Sequence, residues 1–213
     1  MFDSSKLESA KKLKALHNWI KEAIVTESYE YLPDAIKRLI ELVVFYQRGI
    51  NYFSVSSTTV ETPVIDCTYY TNMMSAFQSA GNKLKIARVK NTHNVTTFGS
   101  CFYNNRNVEI IETLDFSSST NNINAFHENQ KLVTLKIVPS TIKSSINFPT
   151  VRVLSNESIQ NIFDGLAPVT TAQTLTLASA MKILQSQVDS ANAKGWTVAG
   201  GTIVTEEEYY GQE

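Results

Sequence analysis

Three segments of this chain repeat one pattern. In "TNMMSAFQSAGNKLKI", "TTFGSCFYNNRNVEII" and "NNINAFHENQKLVTLKI" a small residue precedes a phenylalanine, polar residues follow, and apolar positions close the unit. Phe77, Phe102 and Phe126 are spaced by 25 and 24 residues, and Leu84, Val108 and Leu132 by 24 and 24. A fixed period of this size marks repeated units built from one strand and one short helical turn. No single unit can bury its own apolar side, so neighbours must stack. The spacing predicts a ladder of Phe77, Phe102 and Phe126, with Ala76, Cys101 and Ala125 packed behind it. Strands are expected at 63–66, 86–89, 112–115 and 133–137, with Ile65, Val89 and Leu114 lining the strand side.

The flanks read differently. Ser5 followed by Glu8 resembles a capping box, and Leu7, Ala10, Leu13, Leu16 and Ile20 recur at helical spacing. Pro33 and Asp34 suit the first turn of a second helix, and Gly49 suits its stop. That second helix carries Ile36, Leu39, Ile40, Val43 and Tyr46, a stripe too wide for one partner helix to cover. These five residues are the expected interface. After the repeats, "VRVL" (151–154) reads as a strand, and Ser155 caps the helix "NESIQNIFDGL". "TLTL" (174–177) is a strand, a helix is expected from Ser179 to its stop at Gly195, and "WTVAGG" is a last strand. The tail "TEEEYYGQE" is acidic.

Composition narrows the function. Charged residues make up 18% of the 213, below the usual share of about 25%. The formal net charge of −1 supplies no one-signed field for nucleic acid. Cys67 and Cys101 form neither a disulfide framework nor a metal-spaced set. The N-terminus has charges scattered through it and shows neither a signal peptide nor a membrane-spanning run, so membrane insertion is not expected. Release by lysis as part of an assembled particle accommodates that.

The run "LDFSSSTNNINAFHENQKLVTLKI" (114–137) carries a resemblance. A strand Leu, a Ser/Thr/Asn-rich turn, a small residue before Phe and then Leu-x-x-Leu resemble the leucine-rich repeats of the BspA-like surface-protein family. The resemblance covers residues 60 to 140. The family often has Cys about four residues after the Phe position, where this chain has Asn or Gln. The closing segment, from "VLSNESIQNIF" to "KGWTVAGG", is similar to the ends of repeat proteins encoded by bacteriophages and prophages of gut bacteria. Together these imply a virion appendage or surface-attachment protein; with the residue patterns of the flanks, the chain is expected to be α+β in three parts. Residues 1–53 form a helical hairpin for attachment or oligomerisation. Residues 54–150 form a short leucine-rich-repeat α/β solenoid. Residues 151–213 form a mixed helix–strand cap with the acidic tail.

No constellation calls for chemistry. His127 lies near Glu128 and Asp115, but Gln78 and Tyr103 hold the same repeat position, which marks a surface slot rather than a general base. His17 and His93 show no partner pattern. Cys101 takes the slot of Ala76 and Ala125, and Cys67 ends a strand, so both read as packing. Glu109, Glu112 and Asp115 have no spacing that demands a glycosidase pair. No catalytic residue, metal ligand or cofactor is expected. Tyr69, Tyr70, Phe98 and Tyr103 cluster near the repeat turns, where aromatic faces among Asn and Thr suit glycan. Tyr69, Tyr70, Tyr103 and His127 are therefore the candidate binding contacts. The expected function is that of a non-enzymatic virion protein of a tail, baseplate or fibre. Its partners would be other virion proteins, further copies of itself and a host-surface glycan or protein. A bacterial cell-surface adhesin is the first alternative and a glycan-cutting enzyme the second.

Overall fold

The structure is a computed structural model that describes residues 60–211, apart from 63, 69, 81 and 82. The expected helical hairpin, with Ile36, Leu39, Ile40, Val43 and Tyr46, lies outside the described residues.

Among the described residues ten short strands form four small sheets, and every strand pairing is parallel. Strands β1 (Ile65–Asp66), β2 (Ile86–Ala87), β3 (Val89–Lys90), β4 (Ile110–Leu114) and β5 (Thr134–Ile137) form one column. Its sheets are β1–β3 and β2–β4–β5. The register Ile86↔Ile110↔Thr134 steps by one repeat per strand. A second column starts with the bridges Asn72↔Thr97↔Asn121 and Asn122↔Ile146. It continues as β6 (Ile146–Phe148), β7 (Gln173–Leu177) and β9 (Trp196–Ala199). Each repeat is thus one layer touching both columns. The layers span about 60–80, 83–105, 108–129 and 131–151.

The core lies between the columns. Phe77, Phe102 and Phe126 are buried, as are Ala76, Cys101 and Ala125. Their rings stack at 5.0 and 5.7 Å, nearly parallel, and Phe148 extends the stack at 4.8 Å. The periodicity reading stopped at Phe126 because the next unit is two residues shorter. Ile111, Leu114, Leu132 and Leu135 fill the strand side.

Two expectations require correction. The first concerns the fold class. The described residues form small parallel sheets with three short helices, in place of the expected helix-containing leucine-rich-repeat solenoid. No α-helix occurs among the described residues before Asn156. The reason lies in the turns that carry the phenylalanines. Ser75, Ser100 and Asn124 have φ of 57°, 53° and 56°, and Ser79, Asn104 and Glu128 have φ of 52°, 59° and 63°. Left-handed residues at two fixed slots per layer stop a helix from propagating. Alternate N–H groups then turn outward to the next layer. Phe77 N–H donates to the Cys101 carbonyl at 2.8 Å, and Phe102 N–H to the Ala125 carbonyl at 2.9 Å. The N–H groups between them close turns within the layer, as from Ala76 to the Met73 carbonyl. Side-chain amides complete the accounting. Buried Asn105 donates to the Phe77 and Phe102 carbonyls and accepts from Ala80 N–H. Asn129 donates to the Phe102 and Asn105 carbonyls.

The second correction concerns the C-terminal part. Residues 151–154 form no strand, and the region from Ser179 begins with β8 (Lys182–Ile183) instead of a helix. The helices are α1 (Asn156–Gly165), α2 (Gln185–Ala193) and α3 (Glu206–Tyr210). Ser155 caps α1 by accepting from Ser158 N–H. The Ser158 hydroxyl finishes the first column, accepting from Leu135 N–H at 3.0 Å and donating to the Val133 carbonyl at 3.0 Å. One side chain thereby supplies the donor and acceptor that another strand would present to β5.

Candidate binding face

The outward side of the first column is the most distinctive surface among the described residues. Its four strand segments read "VETPVID" (60–66), "KLKIARVK" (83–90), "VEIIETLD" (108–115) and "KLVTLKIV" (131–138). Within each, all charges have one sign, and the sign alternates from layer to layer. Layer one offers Glu61 and Asp66; layer two, Lys85, Arg88 and Lys90. Layer three offers Glu109, Glu112 and Asp115; layer four, Lys136. Opposite charges on neighbouring strands attract, whereas like charges there repel, so alternation favours this stacking order. Lys85 Nζ lies 2.9 Å from Glu109 Oε1 and Lys90 Nζ 3.2 Å from Asp66 Oδ2. Arg88 meets Glu61 through Nη2, and its Nε stands 3.5 Å from Glu112 Oε1. These side chains remain about half exposed, so each pair contributes only about 0.2–1 kcal/mol.

A groove of about 600 Å³ crosses β3, β4 and β5 on this side. Lys90, His93, Glu112, Thr113, Asp115 and Lys136 line it, over a floor that includes Ile110 and Ile111. The β4–β5 register shifts between Ile111 and Leu114, at the groove's floor. Such irregularities re-aim side chains, here Glu112 and Thr113. At its rim the Asp115 carboxylate accepts from Ser117 N–H and hydroxyl. One layer earlier, Asp66 accepts from Thr68 N–H, the Thr68 hydroxyl and Asn91 Nδ2. Partial burial raises its pKa, but these hydrogen bonds and the nearby Lys90 ammonium outweigh that and hold it at about 2.

The residues singled out from sequence do not gather into one site. Tyr69 lies outside the described residues. Tyr70 is half-buried and packs against the core. Phe98, expected among the exposed aromatics, is fully buried against Phe116 with ring centroids 4.6 Å apart. Tyr103 and His127 stack at 5.3 Å and 12°, half-buried on the turn side of the layers. A sugar packs on a ring face, and here each ring gives one face to the other. His127 Nδ1 is buried without a hydrogen-bond partner among the described residues. Burial pushes the Cys67 thiol up to about 12, helped by the Asp66 carboxylate, and pushes the Cys101 thiol well above its ordinary value. Both therefore stay protonated and are poor nucleophiles. Among the described residues no three His, Cys, Asp or Glu side chains converge as metal ligands. No helix among them is long and apolar enough to cross a membrane.

Sequence reasoning weighed Glu109, Glu112 and Asp115 only as a glycosidase pair and so missed the alternation. The signal was present: aligning the four strand segments by the repeat displays it directly. It missed Asn105 and Asn129 as well, although both stand three residues after a ladder phenylalanine.

No match to this chain is found among protein-family models, curated proteins or solved structures. The functional reading therefore stands on the face itself and on the resemblance noted above.

Proposed function

We propose that this chain is a non-enzymatic structural protein of a bacteriophage particle, in the tail, baseplate or a fibre. Residues 1–53 attach it to the assembly, and the layered part presents a surface for protein or host-surface contact. The observation that carries the contact role is the striped strand face. It is broad, regular and polar, and several of its charges pair across layers while staying about half exposed. The two thiols are buried and protonated, so neither is an activated nucleophile. The likeness of the closing segment to phage-encoded repeat proteins supports the virion setting. A bacterial surface adhesin shares the contact role and differs in location.

Mass spectrometry of gradient-purified particles tests the setting. Peptides of this chain are expected at the stoichiometry of a structural protein. Recovery in the cell-envelope fraction alone would transfer the reading to the adhesin. Incubation with capsular polysaccharide is expected to leave chain length unchanged, and shortened chains would establish an enzyme instead.

A further inference from the structure

Four layers of alternating sign have a symmetry consequence. Layers one to four run negative, positive, negative, positive. A second copy facing the first can be turned by a two-fold axis in the plane of contact. If that axis runs along the strands, the layer order reverses and each row of side chains faces its own row. Layer two then meets layer three, and layer one meets layer four. Every layer faces its opposite. If the axis runs along the stack instead, each layer meets its own sign and the copies repel. An odd number of layers would make reversal repulsive at every level.

The match extends to individual rows of the two inner layers, while at the ends Glu61 faces the uncharged Thr134. Val60, Lys85, Glu109 and Val133 form one row, linked layer to layer through their backbones. Reversal sets Lys85 against Glu109 twice, and Val60 against Val133 at both ends. Val60 and Val133 are 50% and 41% exposed, apolar positions with no cover on this face among the described residues. In the next row Ile86 meets Ile110, both half-buried. In the row after that Arg88 meets Glu112. The groove centres on acidic layer three, so reversal presents the basic layer two of the other copy to it.

From this pattern we infer that the striped face pairs with a second copy of this chain as a two-fold dimer, its axis parallel to the strands between layers two and three. The inference deepens the contact role proposed above and rests on it. Four layers about 4.8 Å apart and strands of about six residues offer roughly 400 Å² per copy. That totals about 800 Å², below the roughly 1,200–2,000 Å² of stable specific interfaces and in the range of weak or transient complexes. The dimer is therefore modest in affinity and sensitive to salt, because its charges are partly exposed.

Site-specific cross-linking of the full chain carrying Val60→Cys and Val133→Cys tests the geometry. Within one copy these positions are three layers, about 14 Å, apart, whereas facing sheets stand about 10 Å apart, so their opposed side chains come closer still. A short bismaleimide that spans the facing pair and not the intrachain pair is expected to give a covalent dimer whose peptide map joins position 60 to position 133. Yield should fall at least severalfold in about 0.5 M salt. Links joining 60 to 60, or no dimer, would overturn the proposal. The second arm uses sedimentation velocity with the native cysteines only. Lys85→Glu and Glu109→Lys are each expected to weaken association at least fivefold, and an equimolar mixture to restore it. Wild-type association that persists in both variants, with no 60–133 link, would locate self-association in residues 1–53 and defeat this proposal. It would leave the particle assignment intact, since that is read from purified particles.

Discussion

Phe102 shows how the repeat becomes stability. Its ring lies between Phe77 and Phe126, with no solvent exposure, and offset parallel rings add modest attraction to a large hydrophobic transfer term. Phe102→Ala is expected to cost about 3–5 kcal/mol in a denaturant titration, because both neighbouring rings are held by their own layers and cannot collapse into the gap. Asp66 gives a second, pH-dependent signature. Its carboxyl is held at about 2, below the ordinary value of 3.8, so ionisation favours the folded state. The sign follows: the contribution is complete above pH ~4, shrinks as pH falls through that value, and is gone below about 2. Urea midpoints measured between pH 5 and 2 should show a steeper acid loss for the natural chain than for Asp66→Asn. Parallel curves would mean that the Thr68 and Asn91 hydrogen bonds do not favour the charged form.

At the scale of elements, the legible and illegible parts of the chain separate by cause. The strand positions within the repeats and the phenylalanine stack could be read, because burial acts at a fixed spacing and repeats with the sequence. The form of the turns could not. Ser75, Asn104 and Glu128 are ordinary residues whose left-handed backbone is imposed by the bonds each layer makes to the next, so polar turns looked like helical ones. Beyond Ser179 the expected helix begins only at Gln185, because Met181 and Ile183 are drawn into the core, where Ile183 pairs with Ile203 of β10 (Thr202–Ile203). Of the candidate contacts, Tyr103 and His127 stack on one another, a pairing that spacing alone does not display. The charged stripes went unseen because their meaning lies between layers and in no single motif. The turn from β9 to β10 supplies the test at this scale. Gly200 has φ of 79°, and an added Cβ would come 2.1 Å from the Leu177 carbonyl oxygen. Backbone would have to move, so Gly200→Ala should cost at least about 2 kcal/mol. A loss of only a few tenths would mean that the β9–β10 turn opens at little cost.

Across the whole molecule, stability should be graded along the stack, since each layer bonds mainly to its neighbours. The two thiols sit at different heights in that gradient. Cys67 belongs to layer one, held to layer two by the two-residue pairing of β1 with β3 and by its own N–H to the Lys90 carbonyl. Cys101 belongs to layer two, where its carbonyl accepts from Phe77 N–H, while the adjoining Phe102 N–H donates into layer three. Both thiols are buried and held protonated, so neither reacts in place. Reaction requires an opening, and its rate reports the free energy of that opening. Releasing Cys67 needs only the first layer to part from the second. Releasing Cys101 needs layer two to part from layer three as well, breaking the Phe102–Phe126 stack and the Asn129 bonds to the Phe102 and Asn105 carbonyls. Pulsed labelling with a thiol reagent, followed by peptide mass spectrometry, should therefore find Cys67 modified first by at least tenfold at low denaturant. The two rates should converge as denaturant rises and global unfolding takes over. Equal rates at every denaturant concentration would show that the layers open as a single unit, and graded stability along the stack would be wrong.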